Sequence, residues 1–473
     1  MSDIHDLTAL EQATAIRDRK LSPAEITEHY LRRVERHDRE LGAYITVTAD
    51  LARDQARVAE QTVADTNDAD ALPPLHGVPV PIKDLNMVAG VRTTFGSRVY
   101  ADFVPPVEDT VATLIRGAGA ILLGKTNTPE FGLPCYTENA VAPPARTPWD
   151  TARSAGGSSG GAAAAVAAGL APVAQGSDGG GSIRIPSSVC GLVGLKPSRG
   201  RVSGGPILAD VSGLPVNGPL ARTVRDAAAL LDVMAVPQPG DPYWLPRPAE
   251  SFLACADRDP RRLRVGRYRT PVVADVDLHP DCVAAYEQAT GLLTEIGHEV
   301  VEVDPPFGAG VVPAFETLWS VLAAINPVDP AREEELLPFT RWLRQRGRGP
   351  SAVEYAQAVA TLQLVSRQAV QAVHGCDAVL TPTLAAPPAR VGGIRDDADP
   401  ARDFAAQMAF TPFTATYNVT GQPAVSLPLY WDADGLPIGV MLSARPGDEA
   451  TLIALSAQLE RAHPWRDRQP EQW

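Results

Sequence analysis

The reading turns on residues 153–191, RSAGGSSGGAAAAVAAGLAPVAQGSDGGGSIRIPSSVCG. Two glycine-serine loops flank an alanine-rich segment. Ala162–Ala168 reads as a helix and Leu170–Ala174 as a strand, with side chains small enough to let helix and sheet approach closely. In the second loop, Asp178-Gly179-Gly180-Gly181-Ser182, consecutive glycines let backbone N–H groups converge on one point and form an anion-binding nest. A hydroxyl beside such a nest is what acyl transfer requires, a nucleophile with donors aimed at the developing oxyanion. The same turn would also suit a bound phosphate or a purely structural role. GGSSGG (156–161) matches G-x-S-x-G in two registers. The residues before it, RTPWDTARSA, are not the hydrophobic strand that a nucleophile elbow needs.

Outward from this centre, strand and helix patterns alternate, which indicates an α/β fold. HGVPVPIKDL (76–85) reads as a strand ending at Lys83, residues 109–117 as a helix, and Ala120–Leu123 as a strand before GKTNTPEFG (124–132). Upstream, Thr8-x-x-Glu11 and Ser22-Pro23-Ala24-Glu25 are capping boxes that open helices. The second helix carries an apolar stripe of Ile26, Tyr30, Leu31 and Val34. Residues 61–76 read as a polar loop. Downstream, residues 218–236 and 448–462 are amphipathic helices, 352–373 is helical, and 377–383 is a buried strand. Residues 423–444 form a hairpin turning at Asp434-Gly435.

Of 42 basic residues only four are lysines, Lys20, Lys83, Lys125 and Lys196. Arginine serves for routine surface charge, so the remaining lysines mark places where a group able to lose its proton has a use. None of the eight histidines is close in sequence to either serine loop. A lysine with a lowered pKa replaces histidine in some serine enzymes, and Lys83, at the end of an apolar strand, is the candidate base.

The net charge of −14 argues against nucleic acid or an anionic membrane as partner. Five cysteines without a C-x-x-C pair suggest reduced thiols and no zinc site of that type. The N-terminal MSDIHDLTALEQ lacks the basic and apolar regions of a secretory leader, and no apolar run suits a membrane span. The expectation is a cytoplasmic protein, monomeric or homodimeric.

The glycine-serine segment closely resembles the amidase signature family. So do HGVPVPIKD (76–84), GKTNTPEFG (124–132), GPLARTVRDAA (218–228), DAVLTPT (377–383), TATYNVTGQPAVSLP (414–428) and GLPIGVML (435–442), in the family's order. The resemblance implies one large α/β/α domain over residues 1–473 around a central mixed, twisted sheet. Its signature core would span about 70–235, with a variable, substrate-shaping region at about 240–400. It also implies a Ser–cis-Ser–Lys triad: nucleophile Ser182, bridging Ser158 and base Lys83. The backbone N–H groups of Gly179, Gly180, Gly181 and Ser182 would form the oxyanion hole. Ser159 and Asp178 match supporting positions, and Arg184 a structural one. No metal or cofactor is implied. Two departures stand out. Gly179 replaces a larger residue, and GLPCY (Gly132, Leu133, Pro134, Cys135, Tyr136) replaces a run of small residues that would line the acyl pocket.

The implied activity is hydrolysis of a small-molecule amide or carbamate through an acyl-enzyme, as in stand-alone amidases, aryl acylamidases or urethanases. The alternative is the amidase subunit of a glutamyl-tRNA amidotransferase, but DVSGLPVNGPLAR (210–222) resembles the stand-alone enzymes. Tyr243, Trp244, Phe315, Trp319, Phe339 and Trp342 suit an apolar or aryl substrate, or a core.

Overall fold

The computed structural model describes residues 3–207, 210–308 and 310–473. Eleven strands form one mixed sheet flanked by helices. They are β1 (Tyr44–Val47), β2 (Ile82–Lys83), β3 (Gly124–Thr126), β4 (Val173–Asp178), β5 (Val193–Lys196), β6 (Val216–Ala221), β7 (Arg264–Arg267), β8 (Glu299–Glu302), β9 (Ala378–Pro382), β10 (Ala424–Trp431) and β11 (Pro437–Ala444). Their order across the sheet is β1-β3-β2-β4-β6-β5-β10-β11-β9-β7-β8. The middle, from β4 to β9, is antiparallel, while β2 runs parallel to β3 and β4, and β7 parallel to β8 and β9.

The N-terminal helices form as their caps dictate. Thr8 and Ser22 each accept from the backbone three residues on, the glutamates there reach back, and Ile26, Tyr30, Leu31 and Val34 are all buried. The hairpin β10–β11 and the strand β9 also stand where the pattern puts them.

Several elements differ from the pattern. Pro79 and Pro81 have no N–H to give a ladder, so the strand expected over 76–85 shrinks to Ile82–Lys83 plus a single bridge from Pro79 to Ile121. Its partner forms at Gly124–Thr126 rather than 120–123. The strand expected at 170–174 runs on to Asp178, because β2 and β6 pair along its two sides. Residues 216–221 are a strand between β4 and β5, and the helix begins only at Val224, where the Thr223 side chain caps Asp226 N–H. The helix Ala49–Asp65 also extends into the segment read as a loop.

The helix Gly160–Ala167 is buried along its whole length against β4. Only small residues fit: a Cβ on Gly161 would lie 2.2 Å from the Asn127 backbone nitrogen. The centre of the sheet therefore carries both serine loops at the C-terminal end of β4 and beside β2.

Candidate active site

Three of the four lysines are buried to within 1% of full burial: Lys83, Lys125 and Lys196. Lys20, with a side chain 73% exposed, pairs with Asp18 on the surface. The buried three do different things. Lys125 Nζ donates to Asp84 Oδ1 at 2.8 Å and to Thr93 Oγ1 at 3.0 Å, and Asp84 also accepts from Thr94, so this is a closed ion pair. Lys196 Nζ reaches the Pro197 carbonyl at 2.9 Å. Lys83 alone meets a serine loop.

Lys83 Nζ lies 2.8 Å from Ser158 Oγ, 3.1 Å from Ser177 Oγ and 3.3 Å from the Ser177 carbonyl oxygen. Its backbone N–H donates to Gln175 Oε1 at 2.9 Å, which fixes the end of β2 against β4. Burial disfavours the ammonium and brings the Lys83 pKa down to about 7, against the opposing pull of the Asp178 charge. The amine is thus poised to be neutral near physiological pH.

The Gly157–Ser158 peptide is cis. Ser159 ties this loop to the next one. Its Oγ donates to the Ser177 carbonyl at 3.1 Å, and its N–H donates to the Ser182 carbonyl at 3.1 Å.

The second loop is tied down from beneath by Asp178. This fully buried carboxylate accepts from Gly181 N–H (2.8 Å), Ile183 N–H (3.1 Å), both Arg184 Nε and Nη2 (3.0 and 2.9 Å) and Asn418 Nδ2 (2.9 Å). Burial alone would raise its pKa, but the Arg184 guanidinium, Lys196 and Asn418 hold it well below the usual carboxylate range. Arg184 continues to the Thr414 carbonyl and Asn418 Oδ1, and Thr414 Oγ1 donates to the Gly180 carbonyl at 2.7 Å. One expectation is corrected here. The Gly181 N–H is spent on Asp178, so it is not among the groups left to receive an oxyanion. Among the described residues, the N–H groups of Gly179, Gly180 and Ser182 have no hydrogen-bond partner.

Ser182 opens into a cleft whose lining is mostly apolar and carries no charged side chain among the described residues. Leu133, Pro134 and Cys135 line it. Gly132 and Tyr136 do not. Gly132 backs onto Ser158, and a Cβ there would lie 3.3 Å from Ser158 Oγ. The Tyr136 hydroxyl is turned away, donating to the buried Asp403 at 2.6 Å. Of the six aromatic candidates, Phe315 and Trp319 line the cleft. Phe339 and Trp342 pack behind it against Phe404, and Tyr243 and Trp244 are exposed.

Comparison with known proteins gives the family. The family model Amidase matches residues 25–453. The chain belongs to the amidase family. It is an enzyme that hydrolyses amide C–N bonds. AmiB2 of Mycobacterium bovis is 40% identical over 471 residues, covering 99% of each chain. The acylamidase of Rhodococcus erythropolis is 35% identical over 482 residues, covering 99% of this chain and 98% of its own. The solved structure of 6-aminohexanoate cyclic dimer hydrolase superposes with a TM-score of 0.91 at 32% identity over the full length of both chains.

Several residues of this amidase escape a reading of the sequence. Ser177 stands beside two expected site residues, yet nothing marks its hydroxyl as a partner for Lys83. Thr414 and Asn418 lie in a family-like motif without a legible role, because their contacts span more than 200 positions in the chain. Gln407 lines the cleft and is aligned by Asp403, to which its Nε2 donates at 2.7 Å, while its Oε1 accepts from Cys135 N–H at 3.0 Å. No local pattern separates such a glutamine from a surface one.

Proposed function

We propose that this amidase cleaves a neutral carboxylic amide with an apolar acyl group through Lys83, Ser158 and Ser182 and an acyl-enzyme on Ser182. The observation that carries the reading is the buried lysine, with a pKa of about 7 and 2.8 Å from the Oγ of Ser158, whose loop the Ser159 N–H ties to Ser182, which opens on the cleft. The neutral amine has two N–H donors and one lone pair. Ser177 provides acceptors for the donors, which leaves the lone pair for the Ser158 proton.

In the proposed cycle, Ser158 passes its proton to Lys83 as it takes the proton of Ser182. The Ser182 oxygen then attacks the amide carbon. The negative charge that develops on the carbonyl oxygen is met by the N–H groups of Gly179, Gly180 and Ser182, preorganised because the carboxylate beneath them fixes the loop. The proton returns from Lys83 through Ser158 to the nitrogen, which leaves as an amine as the C–N bond breaks. Water then gives a proton to the same relay as its oxygen attacks the acyl carbon. The relay returns that proton to the Ser182 oxygen as the ester bond breaks and the carboxylic acid leaves. The same steps would serve a carbamate or an ester, because the acyl-transfer chemistry is shared.

The cleft's lack of charge disfavours the second reading, a role within an amidotransferase complex. Zwitterionic amino-acid amides would need charged partners to offset their desolvation. The test is a panel of an anilide, a primary amide, a urethane and an ester that share one apolar group. Release of the aniline from the anilide or of ammonia from the primary amide supports the proposal, whereas turnover of the ester alone would overturn it.

A further inference from the structure

The three glycines of the second loop are glycine for different reasons. Gly181 is dictated by its backbone: its φ is +133°, and a Cβ there would lie 2.4 Å from Thr414 Oγ1. Gly179 and Gly180 have no such φ. A Cβ on Gly180 would meet Phe315 at an ordinary 3.6 Å. A Cβ on Gly179 would lie 3.3 Å from Trp319 Cζ3 and 3.4 Å from Cη2, the nearest atoms to it. What Gly179 makes room for is therefore the indole.

Trp319 is well placed to use that room. It lies on the helix Val311–Ile325 and is packed between two apolar clusters, one containing Leu318 and Leu362, the other Leu133 and Phe339. Its ring stacks on Phe315, with centroids 5.5 Å apart and planes 17° apart. Both rings line the cleft into which Ser182 opens. Two near-parallel stacked rings, held from behind and in contact with the loop that bears the nucleophile, make an aromatic wall of the cleft.

We infer that Gly179 and Trp319 act as a coupled pair that sets the acyl selectivity of this amidase, favouring an acyl group with a flat aromatic face over a saturated group of the same size. The inference rests on the proposed role of Ser182, and binding separates it from the chemistry. It assigns the wall to the acyl side because the acyl part stays on Ser182 while the amine departs, so the enclosed apolar surface meets it in both half-reactions.

The experiment uses the full-length S182A variant, with titration calorimetry of benzamide and of cyclohexanecarboxamide, a pair matched in size but not in aromatic face. Benzamide is expected to bind about five- to tenfold tighter, the amount one ring–ring contact supplies. Trp319→Leu should remove that preference and Trp319→Phe should keep part of it. Gly179→Val should weaken benzamide strongly while Trp319 is present and much less in the Gly179→Val/Trp319→Leu double variant. Equal affinities, no binding of either amide, equal weakening of both by Trp319→Leu, or additive effects in the double variant would each overturn the inference. If Gly179→Val does not fold, the Leu and Phe variants of Trp319 decide it. Wild-type hydrolysis of benzoyl p-nitroanilide that persists in S182A would instead count against the role of Ser182, whatever the affinities show.

Discussion

The wall of the cleft that bears Ser182 is held by charge and hydrogen bonds, while the adjoining wall, on the helix Val311–Ile325, is held by packing. Beneath the first, one buried carboxylate accepts from two backbone N–H groups, a guanidinium and an asparagine. The second presents Val311, Val312, Phe315 and Trp319, backed by apolar clusters. The difference suits the two tasks proposed for them. Stabilising charge in the transition state requires dipoles that do not reorganise, and these need polar anchors. Selecting an apolar group requires shape, which close packing provides at little cost in desolvation. Substitutions in the polar wall should therefore strike turnover or folding, and those in the apolar wall should strike selectivity.

The largest effect should come from Ser182→Ala, with kcat for an amide falling by at least about 10⁴-fold, as when the nucleophile of another serine hydrolase is removed. Retained turnover would dissolve the comparison, because the polar wall would then have no chemistry to serve. Lys83→Ala should cost about 10³-fold or more in kcat/KM. The pH dependence sharpens this. In the proposed cycle the base works as the neutral amine, so wild-type kcat/KM should rise with pH through about 7 and level off above it, and the Lys83→Ala variant should lose that limb. A limb that survives in the variant would mean that another group titrates.

Asp178→Asn tests the anchor. It leaves the buried Arg184 without its counter-charge, and breaking such a pair costs about 3–5 kcal/mol of stability. Urea unfolding should show the loss as a lower midpoint. A stability within about 0.5 kcal/mol of wild type would show that packing, not charge, holds the loop. The smallest effect should be that of Tyr136→Phe. It removes one hydrogen bond to Asp403, which keeps the Gln407 and Asp396 donors, so the expected loss is about 1 kcal/mol with little change in kcat.

The two walls are unequally legible in the sequence. The polar wall is local: Asp178, the three glycines, Ser182 and Arg184 fall within seven residues, and the chemistry of a nest beside a hydroxyl is visible in that spacing. Scarcity singles out Lys83, Lys125 and Lys196, and all three are buried, yet composition has no means to tell the amine facing Ser158 from the one paired with Asp84. Even within the loop, the commitment of the Gly181 N–H to Asp178 is hidden, since it depends on which way one peptide faces. The apolar wall is non-local. Phe315 and Trp319 share a cleft with Ser182 across more than 130 positions, and their sequence does not distinguish them from Phe339 and Trp342, which pack behind it against Phe404. The broken strand at 76–85 and the strand at 216–221 escape the pattern for a related reason: whether a proline-bearing segment pairs depends on its neighbours in the sheet, not on its own periodicity.

The central claim is that Ser182 carries the acyl group. Rapid acid quench of wild-type enzyme during turnover of an apolar p-nitroanilide, followed by peptide mass mapping, tests it most directly. The mass of the acyl group is expected on the peptide bearing Ser182, and no acylated peptide from Ser182→Ala. Acylation of Ser158 or Cys135, or turnover by Ser182→Ala at the wild-type rate, would contradict it.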